Sequence, residues 1–268
     1  MTRRRALPFP PDSETERESR HDLRWLAPNL LDPTAAPIGR VFCIPHAGGT
    51  SSLFARWPSF FLPDVEVCGI NLPGRGTRFK EPFATDMLQL GSQIARVIAR
   101  IADVPFAIYG ECSGGLIALA TARALAREHQ LVPAHLFATG MRNPRVGSGR
   151  GVYRFSDEDL QREIVDKGLL DPAIASNSEA MEFFLPQIRA DYELCETYES
   201  SAHDRIGCPI TTIANSRDFH AAPAAFENWR NETAVAWQHF AINLPMVAND
   251  PDKLLKSRIR QTLVGGMQ

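Results

Sequence analysis

Residues Phe106 to Glu128 read FAIYGECSGGLIALATARALARE, and the change of character inside this stretch decides the fold. FAIY has the composition of a short buried strand, whereas the alanine-rich run from Gly114 has helical composition and spacing. Between them stands Gly110-Glu111-Cys112-Ser113-Gly114. A strand that turns this sharply into a helix forces its central residue into a strained conformation. Small residues are then needed two positions before and after the centre, so that strand and helix can approach. Gly110 and Gly114 meet that need if Cys112 is the centre. Centring the turn on Ser113 puts Glu111 where a glycine belongs, which makes Ser113 the weaker candidate.

The same rhythm extends to both sides. Arg40 to Pro45 (RVFCIP) is an apolar run that stops at HAGGT, and Val65 to Leu72 (VEVCGINL) alternates before Pro73-Gly74-Arg75. Each reads as a strand entering a loop. Met87 to Ile101 has helical spacing, and His135 to Thr139 and Ile210 to Ala214 add two further short strands. Short apolar strands separated by helices predict an α/β fold with a mostly parallel sheet covered on both faces. The long insertion from Phe155 to Ser200 carries two amphipathic stretches, with Ser156 and Asp159 as an approximate capping box. They read equally as a helical lid or as helices packed on the sheet.

Composition narrows the function. The 268 residues suffice for one large core, and 44 % hydrophobic with 22 % charged side chains is ordinary for a globular, water-soluble protein. The 29 basic and 31 acidic residues, spread along the chain, leave no electrostatic footprint for nucleic acid. Residues 1–24 hold three arginines and alternating charge but no apolar run of signal-peptide or membrane-helix length, which predicts a flexible tail before a single domain at 25–268. Five widely spaced cysteines show no zinc-site pairing, so free thiols, a reducing cytoplasm and no metal are expected.

The chemistry centres on the turn at Cys112. A thiolate is intrinsically nucleophilic, and the positive end of the following helix favours it. A buried, inert cysteine is the alternative, and the flanking glycines argue against it. Acyl chemistry also needs donors for a developing oxyanion, supplied in this architecture by the amide after the nucleophile and one from the loop after an early strand. Ser113 and Ala47 occupy those places.

Several motifs together resemble the type II thioesterases of polyketide and non-ribosomal peptide biosynthesis. They are FCIPHAGGTSSLF from Phe42, VCGINLPGRGTRFKEP from Val67, the turn at Cys112, HLFATGMRNP from His135, FSDEDL from Phe155, FLPQIRADYELCETY from Phe184 and CPITTI from Cys208. The resemblance covers nearly all of the chain after about Trp25. It implies the α/β-hydrolase fold, a helical lid at about 155–200, and a substrate held as a thioester on the phosphopantetheine arm of an acyl or peptidyl carrier protein. It implies no cofactor of the enzyme's own, and a Ser-His-Asp triad as the usual machinery.

The sequence departs from that pattern twice. Glu111 and Cys112 replace the histidine and serine of the family's Gly-His-Ser-x-Gly. Aligning FAINLPMVAND from Phe240 with the family's Gly-Gly-His segment puts Leu244 at the histidine, and leucine is no base. Asp218, in ANSRDFHAAP, keeps the acid place. His46, His220 and Glu111 are the candidates for a substitute base or for lining the site, while His239 sits on a strand before the turn. Arg75 and Arg189 are read as solvated, with contact to phosphopantetheine or a carrier protein as the alternative, and are left out of the site.

Thiolate attack on a thioester exchanges groups of similar leaving ability, whereas hydrolysis needs a base to direct water, an assistance worth about 10² to 10⁴ in rate. The expected activity is therefore acyl transfer or cyclisation through Cys112, with an acceptor other than water. An editing hydrolase with a relocated histidine and a non-catalytic carrier-protein-binding homologue are the alternatives. A monomer is expected.

Overall fold

The computed structural model describes residues 24–27, 36–141, 150–166, 170, 172–199, 204–215, 223–242 and 253–265. Six strands, β1 (Gly39–Ile44), β2 (Val65–Gly69), β3 (Phe106–Glu111), β4 (His135–Thr139), β5 (Ile210–Asn215) and β6 (Trp237–Ile242), form one sheet. Their order is β2-β1-β3-β4-β5-β6, and every pairing is parallel. All strand C-termini therefore lie along one edge, and β3 occupies the middle of the sheet with Gly110 beside Ile44 and Glu111 beside Thr139. Each strand expected from the sequence is present with small boundary shifts.

Parallel strands need crossovers, and the helices supply both covering layers. Alternation along β1 sends Phe42 and Ile44 to one face and Val41 and Cys43 to the other. On the first face α2 (Met87–Ile101) and α3 (Ser113–His129) bury Leu90, Ile94, Ile98, Leu116 and Leu125. On the second, α1 (Pro58–Phe61) and α7 (Lys253–Val264) bring Phe61, Leu255, Ile259 and Leu263 against Tyr109 and Phe137. Asp86 caps α2 by accepting hydrogen bonds from the Leu88 and Gln89 amides. Trp25 is buried in the first core, and its carbonyl accepts from the Asn71 amide at 2.7 Å.

The insertion contains α4 (Asp157–Asp166), α5 (Pro172–Ala175) and α6 (Ser178–Glu196). Ser156 accepts from the Asp159 amide at 3.1 Å, as the capping pattern requires. Val152, Leu160, Ile164, Met181, Leu185 and Ile188 form a third apolar cluster of the insertion's own, while Leu194 and Cys195 at the far end of α6 enter the first core. The insertion is thus a small helical layer attached to the main body through α6. The N-terminal stretch read as a tail lies, apart from Arg24, outside the described residues.

Candidate functional site

The turn after β3 is centred on Cys112, whose φ of 49° and ψ of −116° fall where side-chain-bearing residues rarely go. Two backbone bonds hold it there. The Cys112 amide donates to Thr139 O at 2.6 Å, and the Gly115 amide donates to Cys112 O at 2.9 Å. A Cβ at Gly110 would stand 2.2 Å from Gly114 O, and one at Gly114 would stand 2.4 Å from Ile44 O. The glycines flanking Cys112 are therefore imposed by backbone contact. Cys112 is partly exposed at the strand C-terminal edge, at the mouth of the 17-residue α3. Ser113 is buried in the first turn of that helix, and its Oγ has no hydrogen-bond partner among the described residues.

The loop after β1 runs beside this turn, since Ile44 O and Pro45 O both abut Gly114. His46 is buried, with Nδ1 2.9 Å from Ala47 O. A carbonyl only accepts, so Nδ1 carries the proton. Burial lowers the pKa of His46 and outweighs the Ala47 bond and the charge of Asp191, which act to raise it. The imidazole is neutral, and Nε2 keeps an acceptor lone pair with no partner among the described residues.

Helix α6 closes over this loop. Gly48 has φ +73°, and a Cβ there would fall 2.4 Å from Ile188 Cγ1, so only glycine lets the helix come this close. One turn further along α6, Asp191 Oδ2 accepts the Gly48 amide at 2.8 Å. The same carboxylate pairs through both oxygens with Arg75, whose Nη2 lies 2.7 Å from Oδ1 and whose Nη1 donates to Oδ2. Arg75 is 3 % and Asp191 4 % exposed. The reading of Arg75 as solvated is thus corrected: its guanidinium is buried because α6 supplies a bidentate partner. Arg189 is also engaged, donating to Tyr153 O, Phe155 O and Asp157 Oδ1.

Spacing alone hid Asp191, because its partners are 116 and 143 residues away. The signal was the face Ile188, Asp191, Tyr192, Cys195, which recurs at i, i+3, i+4, i+7 and mixes polar with apolar types. Burial raises the pKa of both Tyr192 and Cys195, with charge at Cys112 adding to it and, for Cys195, charge at Asp191 adding more.

Glu111 shares a strand face with Tyr109; burial raises the pKa of Tyr109 and of Cys43, and charge at Glu111 adds to it. Its own carboxyl is pushed up to about 8 by burial. It therefore holds a proton near neutrality. His135 and His239 are committed elsewhere, 2.8 Å and 3.0 Å from Thr211 Oγ1 and Thr212 Oγ1, and stacked on Phe137 and Phe226. Asp218, His220 and Leu244 lie outside the described residues. Among the described residues no three His, Cys, Asp or Glu side chains are placed to hold a metal, and no helix is long and apolar enough to cross a membrane.

Comparison with known proteins gives the family. The model of the thioesterase domain family matches residues 39–246. The chain is similar to the gramicidin S biosynthesis protein GrsT of Aneurinibacillus migulanus, 33 % identical over 195 residues covering 72 % of this chain and 76 % of that protein. It is likewise similar to the thioesterase PikA5 of Streptomyces venezuelae, 30 % identical over 76 % of this chain and 75 % of that one. The solved structure of RedJ, a thioesterase of the prodiginine pathway in Streptomyces coelicolor, superposes with a TM-score of 0.76 at 29 % identity, covering 96 % and 97 % of the two chains. A match spanning most of the chain, on a parallel sheet whose central strand delivers a strained residue to a helix N-terminus, places the protein in the thioesterase domain family, on the α/β-hydrolase fold.

Proposed function

We propose that this chain is a type II thioesterase-like enzyme of polyketide or non-ribosomal peptide biosynthesis that takes an acyl group onto Cys112 from a carrier-protein thioester and passes it to an acceptor other than water. The observation that carries the reading is the thiol at φ 49°, wedged between Gly110 and Gly114 at the positive end of α3. The relatives' places in gramicidin S biosynthesis and in the prodiginine pathway support the choice of substrate class.

In the proposed reaction the Cys112 thiolate attacks the thioester carbonyl, and the oxyanion that forms is held by the amides of Ala47 and Ser113. Collapse expels the phosphopantetheine thiolate and leaves an acyl thioester on Cys112. An acceptor thiol or carbanion then attacks that thioester and regenerates Cys112. No step of this exchange obliges the enzyme to deprotonate water. In the proposed site Asp218 is the acid-loop residue, His220 is a candidate base, the buried Glu111 adjoins the nucleophile on the sheet side, and no cofactor or metal takes part.

One observation favours hydrolysis as a second reading. The buried Nε2 of neutral His46, with no hydrogen-bond partner among the described residues, is a base in the oxyanion loop. The test is product analysis with a panel of acyl carrier-protein thioesters, in the presence and absence of a second carrier thiol. Transferred or cyclised acyl as the main product, with its share over free acid unchanged in His46→Ala whatever the overall rate, supports transfer. Free acid as the main product, with acyl-Cys112 accumulating in His46→Ala, replaces transfer with hydrolysis.

A further inference from the structure

We infer that Asp191 is a positioning residue that sets the oxyanion donor of the loop after β1, and that Arg75 holds Asp191 in place. The inference rests on the proposed acyl chemistry at Cys112. Its structural basis is the peptide unit joining Ala47 and Gly48, which is gripped from both ends. The carbonyl of that peptide accepts from His46 Nδ1 at 2.9 Å, and its N–H donates to Asp191 Oδ2 at 2.8 Å. A flip would reverse both groups and break both bonds. The neighbouring unit, which carries the Ala47 N–H, is held by its own carbonyl, since His46 O accepts the Gly49 amide at 2.9 Å.

Every contact that fixes the peptide from the α6 side is buried. Ile188 packs directly on the Gly48 Cα, Asp191 takes the Gly48 amide, and Arg75 uses two N–H groups to fix both carboxylate oxygens. A carboxylate held by three hydrogen bonds has no rotamer freedom left, so its grip on Gly48 is directional. Asp191 stands on the insertion, and Gly48 and Arg75 stand on loops of the main body. The oxyanion donor is therefore set only when α6 lies in the position described, and any movement of α6 away from the loop would release it. Asp191 acts through the backbone, as acceptor of the Gly48 amide.

The test separates oxyanion stabilisation from thiol reactivity. Alkylation of Cys112 by iodoacetamide displaces iodide and develops no oxyanion, whereas acylation of Cys112 by an acyl carrier-protein thioester does. Asp191→Ala alone leaves Arg75 buried without its counter-charge and is prone to unfold, so the informative pair is Arg75→Gln/Asp191→Asn against Arg75→Gln/Asp191→Ala. Both pairs are neutral, but only the first keeps an oxygen acceptor for the Gly48 N–H. The inference predicts acylation about 10- to 100-fold slower in the Ala pair than in the Asn pair, with equal alkylation rates. Equal acylation rates in the two pairs, or acylation and alkylation falling together, would overturn it. A wild-type protein that alkylates at Cys112 but never acylates there fails the functional reading itself and takes this inference with it.

Discussion

At Cys112 the backbone is held in a conformation that a β-carbon disfavours, and the surroundings maintain it through the Thr139 carbonyl and two glycines without room for a side chain. The residue before it is held in a different tension. Glu111 is buried and its carboxyl is pushed up to about 8 from an ordinary 4.5, so the folded state binds a proton that the unfolded chain has released. Stability from this site is full below the unfolded value and is lost as pH rises from about 4.5 to about 8. The sum is of order 5 kcal/mol at most. Glu111→Gln, which mimics the protonated form, is expected to raise stability by a few kcal/mol at pH 9 and to leave it unchanged at pH 4, as read by urea denaturation. A variant equally neutral at both pH values would show that the carboxyl is solvated or paired. The spacing Gly-x-Cys-x-Gly was enough to locate Cys112, because steric need at i±2 is local. Glu111 was ambiguous, since its burial depends on Tyr109 and the layer packed over that strand face.

Helices α2 and α3 meet at Gly91, where a Cβ would stand 2.9 Å from the backbone carbon of Ala120. Two effects oppose each other in Gly91→Ala. Helix propensity favours alanine by about 1 kcal/mol, but the contact is with backbone that no rotamer change can relieve. The clash wins, so Gly91→Ala is expected to lower the melting temperature, and a rise would show that the helices separate freely. At this scale the strands and the two central helices were legible from periodicity, because each has one consistently buried face. The insertion was legible as helices but not in its role. Its amphipathic stretches fit a lid or a layer on the sheet equally well, and only the seating of Ile188 and Asp191 on Gly48 decides which surface α6 covers.

Across the whole molecule, buried charge joins distant parts of the chain. Arg123 in α3 donates to Glu232 at 2.5 Å, to Tyr198 Oη at 3.0 Å and to the Asp204 carbonyl at 2.7 Å, with Glu232 fully buried. Removing one partner strands the other, so Glu232→Leu is expected to cost about 3 to 5 kcal/mol in chemical denaturation. Arg123→Met with Glu232→Leu is expected to recover most of that, and a double variant no better than the single would contradict the pairing argument. Such pairs are invisible in the sequence, since Arg75 and Arg123 look like the solvated arginines around them until a carboxylate more than a hundred residues away is brought alongside. Fold class follows from local pattern, whereas the site's electrostatics follow from tertiary contact.

The central claim is that sulfur at position 112 carries the acyl group. The direct measurement is intact-protein mass spectrometry with peptide mapping after brief mixing with an acyl carrier-protein thioester. The account predicts that wild type gains the mass of the acyl group on the peptide containing Cys112, and that Cys112→Ala gains nothing. An acyl group found on another residue, or product released at an undiminished rate by Cys112→Ala, would contradict it.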